Sequence, residues 1–483
     1  MAWRDGASIL IMALLSLRTV GAGASHSPAL RFEHANLVTM TSAAVQRDAV
    51  VIVAGQRILY AGSPQAAPTA PDARVVDLTG RYVLPGLNDM HVHLEYTESL
   101  PDSAVRDELL LYVANGVTTI RNMGGSAWHL IIRQRLASGN ILGPRMFTAG
   151  PIVESHRSHA ALQPPTFKEL HGPDEARMEI RAQKAAGFDF VKVYNQIDTP
   201  TYEAIVETAR EQGLPIIGHV PIEPGLEAAF RNHQASIEHF RGYDLELSAD
   251  RHSTRPEIRF AGWRNASDER LRELTRRTVA AGAWNVPTIV SLEILNDSPQ
   301  NRAIGAEYPF LPAHLYEEMN SYYLHAIFSA EVLKMMLDGL PRQYAFIKML
   351  NDAGAPIMSG TDAAAPGVGL HREIAIMHAA GLSNYDALRT ATSTPGAWLS
   401  RFARIAEPSG TVRTGARADL LILASDPLLD LSALDSIEGV VVAGHYLTGS
   451  EIRALLADLR ARNAQAIREI KARLAAPAQS AAP

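Results

Sequence analysis

The sequence predicts an α/β fold in which parallel strands close into a (β/α)8 barrel, and three observations carry that prediction. Short apolar, β-branched runs alternate with helical patterns through the middle of the chain. Eight such runs can be counted, the number that closes a parallel barrel. Several runs end in a side chain able to bind a metal, and barrel chemistry gathers at the C-terminal strand ends.

The first run is Val83-Leu84-Pro85-Gly86-Leu87-Asn88-Asp89-Met90-His91-Val92-His93-Leu94. Strand side chains alternate faces, so His91 and His93 project the same way and can share one cation. The second run is Val117-Thr118-Thr119-Ile120, with Arg121 at its end, and the third is Arg145-Met146-Phe147-Thr148-Ala149. Then come Phe190-Val191-Lys192-Val193-Tyr194, Pro215-Ile216-Ile217-Gly218-His219-Val220 and Ser236-Ile237-Glu238-His239-Phe240. A seventh strand is expected over 284–290, and the eighth, 355–363, delivers Asp362. Helical patterns over 202–212 and 343–353 are closed by Gly213 and Gly354, as left-handed C-terminal caps require.

Taken in order, these runs resemble the amidohydrolase superfamily, in its imidazolonepropionase-like and prolidase-like branch of metal-dependent hydrolases. The supporting motifs are Pro85 through His93, Asn115-Gly116-Val117-Thr118-Thr119, the Lys192 strand, Gly218-His219-Val220, Ile237-Glu238-His239 and Gly360-Thr361-Asp362. Ala387-Leu388-Arg389-Thr390-Ala391-Thr392 and Gly415-Ala416-Arg417-Ala418-Asp419-Leu420 extend the match, which runs from about residue 30 to 449. The resemblance implies two divalent metal ions, usually zinc, bridged by a carboxylated Lys192. His91, His93 and Asp362 would hold the buried ion, and His219 and His239 the more exposed one. Relatives are often dimers or larger, which makes a homo-oligomer an expectation here as well.

The resemblance also implies the domain plan. Strand-like runs such as Val50-Val51-Ile52-Val53 and Leu420-Leu421-Ile422-Leu423 place segments 30–83 and 408–449 in one composite β-sandwich beside the barrel, 84–407. Residues 450–483 form a charged helix and tail.

Chemistry follows from the residue types. Zinc takes imidazole and carboxylate ligands, and a catalytic site keeps a position for water. Metal lowers the pKa of that water and polarises a carbonyl, so a bridging hydroxide attacks an amide carbon. Asp362 then serves as acid and base, returning a proton to the leaving nitrogen. An ammonium has no lone pair, which is why Lys192 needs carboxylation to bind metal. The competing assignments are ordinary ones: a surface ion pair for Lys192 and a helix cap for Asp362. Glu238 reads as a strand or supporting residue, and His371 with Glu373 as the start of the helix after strand eight.

Specificity lies in the loops. After strand three, 150–159 contains His156, Arg157 and His159, and beyond strand six lie Arg241 and Tyr243. The segment 291–341, rich in Tyr and Phe, is longer than a connection needs and could form a lid. Arg121, Arg157 and Arg241 suit bidentate recognition of a carboxylate. With Tyr194, they point to a small carboxylate-bearing amide such as an N-acyl amino acid or a dipeptide. The alternatives are a cyclic amide of the imidazolone type or a lactone, and a binding protein on an inactive barrel. The last is disfavoured because every ligand position is filled.

The N-terminus reads as a secretory signal, residues 1–24, with an apolar core at 9–17 and the small-residue end Ala22-Gly23-Ala24. It implies a secreted or periplasmic protein. There are no cysteines to form disulfides or carry a lipid, and no other stretch is long and apolar enough for a membrane anchor. A net charge of −6 with 20% charged residues makes no case for nucleic acid, leaving a small-molecule substrate as the expected partner.

Overall fold

The computed structural model describes residues 29–95, 101–155, 165–295, 298–305, 308–319, 329–362 and 365–475. The expected signal, 1–24, lies outside them. The fold is α/β, with one mixed sheet and two parallel sheets. The mixed sheet unites both ends of the chain, as expected. Strand Tyr82–Pro85 pairs with Leu30–Val38 on one side and antiparallel with Leu420–Leu423 on the other. The hydrogen bonds of this domain run through one eight-stranded sheet. Leu30–Val38 explains this, because it pairs with Val45–Ala54 along one edge and with Arg74–Asp77 and Tyr82–Pro85 in succession along the other. Phe32, Leu37, Val51, Val53, Leu420 and Ile422 bury their side chains in a core of its own.

A single extended run carries the chain from this sheet into the site. Strand Tyr82–Pro85 continues across Gly86 into Leu87–Val92, which pairs in parallel with Val117–Asn122. A Cβ on Gly86 would lie 2.2 Å from Thr118 Oγ1, so only glycine permits this approach. Val117–Asn122 pairs with Arg145–Thr148 to complete a three-stranded sheet. The second parallel sheet places Val191–Val193, Ile216–Gly218, Ser236–Glu238 and Asn285–Val286 side by side in chain order.

Three departures from expectation have local causes. The third run stops at Thr148 and the chain re-enters a sheet as Ile152–Glu154, with Pro151, which has no N–H to donate, at the break. The seventh strand keeps only Asn285–Val286. Pro287 removes a donor, and Thr288 at φ 51° turns the chain into the short helix Ile289–Glu293. The helix expected over 343–353 begins much earlier, at Ala330, and runs through Pro341 to Asp352. Ahead of it, 291–341 contains the short helices Pro299–Ile304 and Ala313–Glu318, while 296–297, 306–307 and 320–328 lie outside the described residues.

Other helices match their signals. Thr199–Gln212 opens on Asp198, whose carboxylate accepts from Thr201 N at 2.9 Å, and closes on Gly213 at φ 64°. Gly449–Ala475 lies against Asp102–Ala114, where Leu459 packs on Leu110 and Leu111 and Asp107 accepts from Arg462 and Asn463. No helix among the described residues is long and apolar enough to cross a membrane.

Candidate metal centre

The polar strand ends converge. His91 Nε2 lies 3.3 Å and His93 Nε2 3.4 Å from Asp362 Oδ1, and Lys192 Nζ is 3.5 Å from His91 Nε2. His239 Nδ1 is 3.7 Å from Asp362 Oδ2, its ring centroid 4.6 Å from that of His91 and 4.9 Å from that of His219. Ligand atoms of His91, His239 and Asp362 all fall within 4.8 Å of one another. Residues far apart in sequence are thus gathered at one end of the parallel strands.

Backbone geometry shows what this gathering costs. His239, Thr288 and Asp362 occupy the left-handed region at φ 57°, 51° and 50°. For non-glycine residues such conformations cost on the order of 1–3 kcal/mol each, and Thr, being β-branched, is the least suited. Gly360 lets the Asp362 segment approach, since a Cβ there would sit 2.7 Å from His91 Cβ. Asp362 N and Thr361 N then both donate to His91 O, at 2.8 and 3.1 Å.

Three histidines have their Nδ1 atoms engaged by a neighbouring side chain. His91 Nδ1 lies 2.8 Å from Glu238 Oε2, and His219 Nδ1 lies 2.8 Å from Asn195 Oδ1. Burial pushes the Glu238 carboxyl up, but the Arg121 guanidinium and the His91 hydrogen bond outweigh it and hold the group at about 2. Glu238 is therefore an acceptor, as is the Asn195 oxygen, so both rings donate from Nδ1 and turn an Nε2 lone pair to the centre. Thr288 Oγ1 lies 2.5 Å from His239 Nδ1 and donates its own proton to Pro287 O at 2.8 Å, so it accepts from His239.

Burial also decides the charge states. It pushes His93 below its usual value, and His219 and His239 well below, leaving neutral imidazoles fit for a cation. For Asp362 burial acts upward, yet His239 and His91 hold it well below the carboxylate range. The Lys192 ammonium, fully enclosed, is pushed down to about 8. A set of imidazoles with aligned lone pairs, one ionised carboxylate and a lysine nearer neutrality fits divalent cations of the zinc type.

Other sequence-predicted contacts resolve differently. Arg121 is corrected: it is wholly buried, with Nε on Met90 O (2.6 Å), Nη1 on Ser236 Oγ (2.9 Å), Nη2 on Glu238 Oε1 (2.9 Å) and its plane over Trp398. It faces the interior beneath the histidines, and no part of it can meet substrate. Tyr243 is corrected as well, because it is buried against Phe240 and Phe346 with its hydroxyl on Thr278. Tyr194 stacks on His219 at 4.2 Å. Arg241 shares Asp244 with Arg259, through Nη1 at 3.3 Å, and its buried Nε has no partner among the described residues. His156, Arg157 and His159 lie outside the described residues. Asn195 and Thr288 escaped sequence reasoning, since neutral side chains that bond an imidazole without being ligands themselves leave no spacing signal.

Residues 82–447 match the profile of the amidohydrolase family, about three quarters of the chain. This chain belongs to the amidohydrolase family. Among curated relatives, this amidohydrolase is 41% identical over 81 residues to the imidazolonepropionase of Caulobacter vibrioides (strain NA1000 / CB15N), which is 17% of the chain and 20% of that protein. It is 35% identical over 80 residues to the adenine deaminase of Rubrobacter xylanophilus, covering 17% and 13% respectively. The chain thus spans about a fifth or less of the length of these relatives. Among solved structures, a Xaa-Pro dipeptidase with bound methionine in its active site superposes with a TM-score of 0.64 at 19% identity, over 87% of this chain and 100% of that one. Bottromycin amidohydrolase gives 0.67 at 22% identity, over 90% of each chain. These structural likenesses show the fold.

Proposed function

We propose that this amidohydrolase cleaves a C–N amide bond in a small carboxylate-bearing substrate, such as an N-acyl amino acid or a dipeptide. His91, His93, Lys192, His219, His239 and Asp362 would hold two divalent cations, zinc by preference. The observation that carries this reading is the convergence of these six side chains with three Nδ1 atoms already engaged. The parallel strands are read as one closed (β/α)8 barrel, supported by the bridges Ala149 to Phe190 and Asn285 to Ile357 and by Met90 N donating to Ser359 O.

Bound cations would supply a Lewis acid for the amide carbonyl and a water acidified toward neutrality. Asp362 moves the proton, its carboxylate taking one from the attacking water and delivering it to the leaving nitrogen. Lys192, with its amine pushed down to about 8, has a neutral fraction able to react with carbon dioxide, and carboxylation would turn it into an anionic oxygen ligand. Arg241 supplies the substrate contact. Two guanidiniums on the one Asp244 carboxylate leave a surplus positive charge beside His219 and His239, and that charge suits a substrate carboxylate. Tyr194, stacked on His219, walls the same side. Export to a secreted or periplasmic location belongs to the same proposal.

Hydrolysis assays on protein reconstituted with zinc and bicarbonate test the substrate class. Release of a free amino acid from N-acyl amino acids or dipeptides is the expected result. Turnover confined to cyclic imides or lactones would replace the substrate, and no turnover across the panel would remove the enzyme reading.

A further inference from the structure

Behind the centre stand three fully buried glutamates, one for each engaged histidine. Glu238 meets His91 directly. The other two act at one remove. Glu154 accepts from Asn195 N at 3.2 Å and Gln196 N at 2.5 Å, gripping the backbone of the residue whose side chain engages His219. Glu373, from the helix Val368–Ala379, accepts from Ile289 N at 3.1 Å and Val290 N at 2.8 Å, directly after the residue that engages His239.

We infer that Glu154 and Glu373 are positioning residues for the outer half of the centre, aiming His219 through Asn195 and His239 through Thr288. The inference rests on the proposed two-cation reading and concerns how the weaker of its positions is built. Two points support it. Among the described residues Glu373 has no ion-pair partner, and burial pushes its carboxyl up to about 8 even though two backbone N–H groups donate to it, so an acid at this place works against its surroundings. Ile289 and Val290 are buried first residues of their helix, so Glu373 fixes the helix start at the point where the Thr288 turn ends. Thr288 gives the second point, because turning the chain at φ 51° suits glycine, while threonine adds strain and contributes only its hydroxyl. That hydroxyl is what His239 Nδ1 contacts.

The inner and outer partners differ in kind. His91 donates to an ionised carboxylate, which makes its Nε2 a stronger ligand, whereas His219 and His239 donate to a neutral amide and a neutral hydroxyl. With less electronic help, the outer position depends more on rings held at the right angle. Gln in place of either glutamate keeps one acceptor and turns an N–H toward the other backbone N–H, loosening the grip without changing volume.

Zinc and cobalt(II) titrations, read by metal stoichiometry and the cobalt visible spectrum, test this on wild type, Glu154→Gln, Glu373→Gln, Thr288→Val and Thr288→Ser. Thermal unfolding serves as the control for folding. The expected result is a loss of about 10- to 100-fold in affinity at one position only, with the other unchanged. Thr288→Val should show the same loss and Thr288→Ser should restore binding, a pattern that mere loss of stability would not produce. If a glutamate variant fails to fold, the Thr288 pair together with Asn195→Leu decides. Folded variants that bind both ions with wild-type affinity would overturn the inference and leave the proposed function standing. A wild-type chain that holds one ion or none would overturn both.

Discussion

Arg121 reaches His91 through Glu238, Arg241 stands by His219 and His239, and the two guanidiniums live in different electrostatic worlds. Beneath the site, Arg121 spends all three nitrogens on Met90, Ser236 and Glu238 and is closed off from solvent. Its charge is matched by one carboxylate, which in turn orients His91. On the outer side, Arg241 and Arg259 divide a single Asp244, so two positive charges meet one negative charge, and the Arg241 side chain is partly exposed. The difference teaches that a charge matched inside the protein builds the site, while a charge left over at its rim is available to a ligand.

The comparison can be sharpened by substitutions on each side. The largest effect belongs to the carboxylate proposed to move the proton. Asp362→Asn should lower turnover about 10²- to 10⁴-fold while metal stays bound, measured as kcat alongside metal content. Next comes Arg121→Met, which strands Glu238 as a buried, uncompensated charge. Unfolding in denaturant should show a loss of about 3–5 kcal/mol. A wild-type midpoint for this variant would mean that the pair beneath the histidines is not what holds them. Arg241→Leu should do the reverse. It should leave the unfolding midpoint nearly unchanged and raise KM for carboxylate-bearing amides by roughly 10- to 100-fold, with little change in kcat, as expected for a lost charged hydrogen bond. An equal effect on an amide lacking the carboxylate would break the contrast.

How much of this was legible in the sequence follows from what a sequence records. Strand period and strand ends are local, so His91 with His93, Lys192, His219, His239 and Asp362 could be picked out, and the structure gathers them at one place. The direction of Arg121 was not legible. It ends a strand as a rim residue would, but its long side chain turns under the site to a glutamate 117 positions away. Tyr243 failed for a similar reason, since Gly242 at φ 90° turns the chain into the helix Tyr243–Leu247, whose first residue packs into the aromatic cluster around Phe346. Thr288 was hidden in a run that reads as strand, because Pro287 and the left-handed turn cut that strand to Asn285–Val286. The composite sheet was anticipated as a union of both chain ends. The pairing of Leu30–Val38 with three partners was not, because it depends on register rather than on composition.

The two sides are joined by one central claim, that the converged side chains hold a pair of divalent cations. Elemental analysis of the purified chain tests it directly. Close to two zinc-type ions per chain is the predicted result. One ion or none, after dialysis against zinc and bicarbonate, would contradict a two-cation centre at His91, His93, Lys192, His219, His239 and Asp362.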